Sequence, residues 1–171
     1  MNTIEGTGRK PADVVVRGNA SGFLQEIVSG AHQLHADEPV DLGGGHAAPG
    51  PYDYLLVGLG ACTSMTVGLY ARTKNWPLEN IIVSLRHSRI HAKDCAECEM
   101  KDGMLDRIDV EIGLSGALTS EQRAKLMEIA AKCPVHRTLK SEINIRLQTA
   151  LGGSLSESAE TKIQSPTQTG K

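Results

Sequence analysis

The chain has 171 residues and a formal net charge of −2, enough length for one domain with a buried core. That charge gives no electrostatic footing for nucleic acid or an anionic membrane surface. Aromatic residues make up 3 %, with Trp76 and Phe23 the single Trp and Phe, too few for a platform on which bases would stack.

Residues 1–10 are polar, lack the apolar stretch of a signal peptide and read as a flexible arm. The expected compartment is the cytoplasm, where cysteines stay reduced and serve catalysis, redox sensing or metal binding. The folded domain is expected over 11–150. Val14–Arg17 reads as a strand, Gly18–Gly22 as a turn and Phe23–Val28 as the hairpin partner. A short third strand is expected over His32–Ala36. The Gly- and Pro-rich stretch Asp41–Gly50 is a loop.

Pro51 suits a first helical position, and one helix is predicted from Tyr52 to Lys74, stopped by Asn75-Trp76-Pro77. Its middle is apolar or small on nearly every face, so it must be covered all round. Thr63, Ser64, Thr66 and the glycines fit a buried helix rather than a membrane span of about 20 residues. Gly58 and Gly60 each cost about 1 kcal/mol in a helix interior, which predicts another backbone packed close to them. A sheet can cover one side of this helix, and a twofold symmetry mate the other.

Asn80–Ile90 alternates as a strand, His91–Gly103 is a polar loop, and Leu105–Leu114 is a second strand. Thr119-Ser-Glu-Gln122 forms a capping box that opens an amphipathic helix to about Lys132. A short helix from Pro134 and a final strand Ile143–Leu147 follow. The Ser/Thr/Gly/Gln-rich tail 151–171 is expected to be disordered. Strands grouped before and after helices, without βαβ alternation, indicate an α+β domain.

The chemistry-bearing residues centre on two distant thiols. Cys133 precedes Pro134, so one helix ends there and Cys133 caps the next. A sulfur at that position faces unpaired N–H groups and the positive end of a helix dipole, both of which favour thiolate. The plainer reading is a small residue filling a helix junction. Cys62 lies among apolar neighbours and becomes a strong nucleophile only where a cation reaches it; otherwise it is a core cysteine. Arg17 is the one Lys or Arg between Lys10 and Arg72, and Asp53 near the helix start could hold it. Alternatively, Arg17 is a solvated strand residue and Asp53 a first-turn carboxylate favoured by the dipole. A third set, His87, His91, Cys95 and Cys98, has the ligand types for zinc in twelve positions. Asp94, Glu97 and Glu99 around its thiols disfavour a thioredoxin-like role. A secondary redox loop and an ordinary polar loop are the other readings.

Gly58-Leu-Gly-Ala-Cys62-Thr-Ser-Met-Thr and Cys133-Pro-Val-His-Arg-Thr-Leu139 resemble the OsmC-like family, which includes the organic hydroperoxide resistance proteins. Pro51-Tyr-Asp-Tyr-Leu and His91-Ala-Lys-Asp-Cys95-Ala-Glu-Cys98 extend the resemblance, which runs from about Asp13 to Leu147. It implies antiparallel sheets packed around a long central apolar helix, in an intertwined homodimer. It also implies a thiol peroxidase cycle: Cys62 attacks an organic hydroperoxide and becomes a sulfenic acid, Cys133 closes a disulfide, and a dithiol reductant, lipoyl-type in one branch, restores the thiols. No cofactor is required. The family's glutamate falls on Tyr52 here, and Asp53 is one helical step of about 100° away; Arg17 is the candidate for the family's arginine. The alternative is a non-enzymatic module for redox or zinc sensing, or for small-ligand binding, that uses the His91–Cys98 loop.

Overall fold

The computed structural model describes residues 12–95 and 102–149; the N-terminal arm, the C-terminal tail from residue 150 and Cys98 lie outside them. The chain opens with three short antiparallel strands, β1 (Val14–Arg17), β2 (Gln25–Ser29) and β3 (His32–Ala36). Val16 sits opposite Ile27, and Ile27 opposite Leu34. One face of this sheet thus gathers the apolar side chains, because residues directly opposite share a face. Val14, Val16 and Leu34 on that face are exposed.

Between β3 and the first helix, the loop is organised around Asp37, which is 3 % exposed. Its carboxylate accepts the N–H groups of Glu38 at 2.9 Å and of Gly45 and Ala47 at 3.0 Å each. Local sequence gives no sign of this, since the partners of Asp37 lie up to ten residues away.

Helix α1 runs from Pro51 to Thr73. Pro51 needs no intrahelical partner at the first position, and Asp53 Oδ2 accepts the Gly50 N–H at 2.9 Å. Asn75 turns left-handed (φ 53°) and ends the helix, an arrangement Asn tolerates at the residue after a C-cap. The turn after it carries the chain into a long antiparallel hairpin, β4 (Asn80–His91) and β5 (Met104–Ser115), paired over all twelve positions. Helix α2 (Ser120–Ala130) starts at the expected capping box, with Gln122 N–H donating to Thr119 Oγ1 at 3.2 Å and Gln122 Oε1 accepting the Thr119 N–H at 2.9 Å. Arg123 ties it to the end of β5 by donating to the carbonyls of Leu114 and Gly116 at 2.7 and 3.0 Å. Helix α3 (Pro134–Leu139) follows, with Cys133 at its N-cap.

Helix α1 packs on β4, α2 and α3. Val67 and Ala71 of α1 meet Leu126 and Ala130 of α2, and Trp76, Ile81, Ile112 and Leu114 close around them. Complete burial of Leu126 contributes about 1.5–3 kcal/mol. Gly60 lies where an added Cβ would stand 2.7 Å from Leu85 Cδ1, so the close approach predicted there is made by a β4 side chain rather than by backbone. Nothing lies within 4 Å of the corresponding point on Gly58, which is exposed.

Within the single chain, helix α1 is covered on one side only: Val57, Met65 and Leu69 are 60, 71 and 59 % exposed, on the side for which a symmetry mate is expected. One expectation from sequence takes a different form. The predicted strand Ile143–Leu147 is in no ladder among the described residues, and Ile143, Ile145 and Leu147 are exposed. The alternation is real, but a strand exists only against a partner edge.

Candidate active site

Helices α1 and α3 bring the two distant thiols together. Cys133 is fully buried and Cys62 half-buried; both are free, and the Cys62 side chain acts on the Cys133 thiol. Their meeting follows from local signals. Pro134 ends one helix and starts the next, which fixes Cys133 at the junction. Leu126 and Ala130 dock α2 onto Val67 and Ala71 in the last third of α1, and α3 packs on α1 beyond them.

The environment of Cys133 is built for negative charge. Burial pushes its thiol up, but the Cys62 thiol, the His136 amide, the Thr63 hydroxyl and the Val135 amide outweigh it, and the balance lies below the ordinary value. The two amides close no cap hydrogen bond of ordinary geometry with the sulfur. They act as aligned donors at a helix start, where the backbone N–H groups have no other partner. The N-cap reading from sequence therefore holds. Thr63 was missed, although it directly follows Cys62 and is 3 % exposed; a hydroxyl inside an apolar run was the available signal.

Two hollows flank α1. One, about 460 Å³, lies between α1 and β4 and is lined by Asp53, Val57, Ala61, Ser64 and Leu85 among others. The other, about 440 Å³, runs between α1, β5, α2 and α3. Its wall is mostly apolar, with Leu59, Ile108, Ile112 and Leu139, and it includes Thr63 and His136, both partners of Cys133.

Arg17 is exposed at the end of β1, opposite Glu26 in register. Asp53 caps the start of α1, nine residues before Cys62, which is about 13 Å along a helix axis. Among the described residues neither hydrogen-bonds to Cys62, and Arg17 makes no ion pair. Tyr52, at the position of the family's glutamate, stacks on His87 with ring centroids 4.4 Å apart and planes at 18°. His87 Nε2 in turn bonds Asp106 Oδ1 at 2.9 Å.

The proposed zinc set is not gathered by this geometry. His87 is committed to Asp106, and Cys95 is disulfide-bonded, so its sulfur offers no thiolate for zinc. His91 is exposed at the end of β4. Among the described residues no group of three or more His, Cys, Asp or Glu side chains is arranged to hold a metal.

The pairing of a half-buried thiol with a buried, thiolate-favouring one is the setting in which the comparisons fall. The family model described as OsmC-like protein matches residues 43–148. The chain belongs to the OsmC-like family. No curated protein matches it. Solved structures share the fold of this OsmC-like chain. An OsmC-like protein from Mycoplasma pneumoniae is 22 % identical, with 77 % of this chain and 88 % of that one covered and a TM-score of 0.59. An organic hydroperoxide resistance protein OsmC from Legionella pneumophila is 20 % identical, covering 74 and 87 %, with a TM-score of 0.55. The organic hydroperoxide resistance protein OhrB of Bacillus subtilis is 18 % identical, covering 81 and 97 %, with a TM-score of 0.54.

Proposed function

We propose that this OsmC-like protein is a cytoplasmic, cysteine-based peroxidase that reduces organic hydroperoxides in oxidative-stress defence. The observation that supports the reading is the interaction of Cys62 with Cys133: two free thiols, 71 positions apart in sequence, that the packing of α3 on α1 brings to one site.

In the first step the Cys62 thiolate attacks the terminal oxygen of the hydroperoxide. The S–O bond forms, the O–O bond breaks, and the alkoxide leaves and takes a proton to become the alcohol. Cys62 is then a sulfenic acid. The Cys133 thiolate attacks the Cys62 sulfur, the S–S bond forms and hydroxide leaves. A dithiol reductant, of which a lipoyl group is one kind, exchanges with the disulfide, becomes a disulfide itself and returns both cysteines to thiols. The 440 Å³ hollow favours an alkyl hydroperoxide over hydrogen peroxide, because its apolar wall rewards burial of a hydrocarbon chain.

The working unit in this reading is an intertwined homodimer. Met65, Leu69 and Val57 make an exposed apolar stripe on α1, and Ile143, Ile145 and Leu147 alternate in an exposed extended segment. A second copy covers both, the segment finding the strand edge it lacks in one chain. Arg17, exposed and without an ion pair among the described residues, is the cation we assign to Cys62 across that interface, with Asp53 as its carboxylate. Steady-state assay with an alkyl hydroperoxide and a dithiol tests the function. Turnover in the wild type that is abolished in Cys62→Ser supports it, and absence of dithiol-dependent turnover with every peroxide tried contradicts it.

A further inference from the structure

The 440 Å³ hollow has one wall along β5. Asp106, Ile108, Val110 and Ile112 line it, every second residue of the strand and therefore one face. Ile112 also packs against the core cluster of Val67, Ala71, Leu126 and Ala130, which fixes the inner end. Asp106 is the outer end and the one charged residue of the four.

The level of Cys62 can be placed along this wall. A Cβ added at Gly60, two residues before Cys62, would stand 2.7 Å from Leu85 Cδ1. Leu85 lies opposite Val110 in the β4–β5 ladder. Asp106 is four residues beyond Val110, about 13 Å along an extended strand. A hydrocarbon chain that starts near Cys62 and follows the wall therefore meets a carboxylate at the far end.

That carboxylate is tied to the neighbouring strand. Asp106 Oδ1 accepts from His87 Nε2 at 2.9 Å, and Arg89 Nε stands 3.9 Å away. An ionised carboxylate only accepts, so His87 carries a proton on Nε2. His87 lies opposite Ile108 and thus diagonal to Asp106, a spacing that long side chains bridge. Its ring stacks in turn on Tyr52 in the first turn of α1, with centroids 4.4 Å apart and planes at 18°. Three elements thus meet at the outer end of the hollow.

We propose that His87 is a specificity-determining residue that admits long hydrocarbon chains: by holding Asp106 to β4, it keeps a loose carboxylate off the outer part of the apolar wall. This rests on the peroxidase reading for the identity of the chain, an alkyl hydroperoxide, but chain binding is measured without peroxide. A carboxylate without a partner keeps its water, and a chain that reaches it must displace that water at a cost. Arg89 does not replace His87, because an exposed ion pair at this distance is weak. His136 and Lys140 also line the hollow, from α3, and among the described residues neither forms an ion pair with Asp106.

The test is calorimetric titration of reduced protein with two straight-chain alcohols. Decanol is long enough to reach Asp106 from the level of Cys62, and hexanol is too short. In His87→Ala the Kd for decanol is expected to rise about tenfold, the scale of one lost hydrogen bond to a charged group, while that for hexanol keeps its wild-type value. His87→Phe, which retains a ring to stack on Tyr52 but has no donor, carries the same expectation and separates the bond from the stack. In the double variant His87→Ala with Asp106→Leu, decanol binding returns to wild-type strength. A folded His87→Ala or His87→Phe protein that binds both alcohols as wild type does, or loses both equally, overturns the proposal. So does a double variant that stays as weak as the single one, or a wild type that binds neither alcohol. Wild type that shows this length preference yet turns over no hydroperoxide contradicts the peroxidase reading and supports the role of His87.

Discussion

Cys133 and Cys62 meet where α3 packs on α1, and the Cys133 thiol is held below its ordinary value: burial raises it, and the Cys62 side chain, the His136 amide, the Thr63 hydroxyl and the Val135 amide together outweigh that effect. The thiol that the family resemblance names as resolving is thus the one that this chain prepares electrostatically. The attacking sulfur, Cys62, is left to be activated from beyond its own helix.

This arrangement has a pH signature. Burial opposes charge on Cys133, but its four donors prevail and hold the thiol below the ordinary value. An acid whose folded pKa lies below its unfolded one contributes stability that is complete above the unfolded value and is lost as pH falls through the folded one. Reduced protein is therefore expected to gain stability as pH rises toward the ordinary thiol range, by about 1.4 kcal/mol for each unit of depression. Urea unfolding under reducing conditions at a series of pH values should show this slope in wild type and its loss in Cys133→Ala. Parallel slopes in the two proteins would count against the thiolate assignment.

A second pH effect belongs to the loop before α1. The Ala47 amide foremost holds the Asp37 carboxyl below its ordinary value, with the amides of Glu38 and Gly45 and the charge of His46 acting in the same direction, against a burial effect that raises it. Its stabilising effect is full above the ordinary carboxylate range and disappears as pH falls below it. Asp37→Asn is expected to loosen the loop already at neutral pH, because an amide group cannot accept three N–H bonds as a carboxylate does. Amide hydrogen exchange at Gly45 and Ala47 should accelerate in the variant, and exchange that stays as slow as in wild type would show that the loop is held by other means.

The apolar face of α1 is expected to be an interface between two copies. Met65→Glu places a charge in the middle of the exposed stripe, where a buried, unpaired carboxylate costs several kcal/mol. The variant is expected to sediment at half the mass of wild type and to lose turnover, since the assigned Arg17 comes from the second copy. A Met65→Glu protein that keeps the wild-type mass would remove this face from the interface.

How legible these features were in the sequence depends on how local their causes are. The limits of α1, the capping box at Thr119 and the N-cap position of Cys133 were readable because each is set by residues within a few positions: Pro51, Gln122 and Pro134. The strands β4 and β5 followed from alternation, and the α+β class from strands grouped before and after helices without βαβ alternation. Partners distant in sequence were not readable. Nothing in the sequence announces that Thr63 faces Cys133, that Tyr52 stacks on His87, or that Asp37 gathers amides from Gly45 and Ala47. The strand expected at Ile143–Leu147 had the right pattern, but its pairing depends on an edge that the described chain does not supply.

The most direct measurement of the central claim is peptide mass spectrometry of reduced protein exposed to one equivalent of an alkyl hydroperoxide. The account predicts a linked pair of peptides containing Cys62 and Cys133, formed as the hydroperoxide is consumed. In Cys133→Ser it predicts instead a sulfenic acid trapped on Cys62. Consumption of the hydroperoxide with Cys62 and Cys133 both remaining free thiols would contradict it.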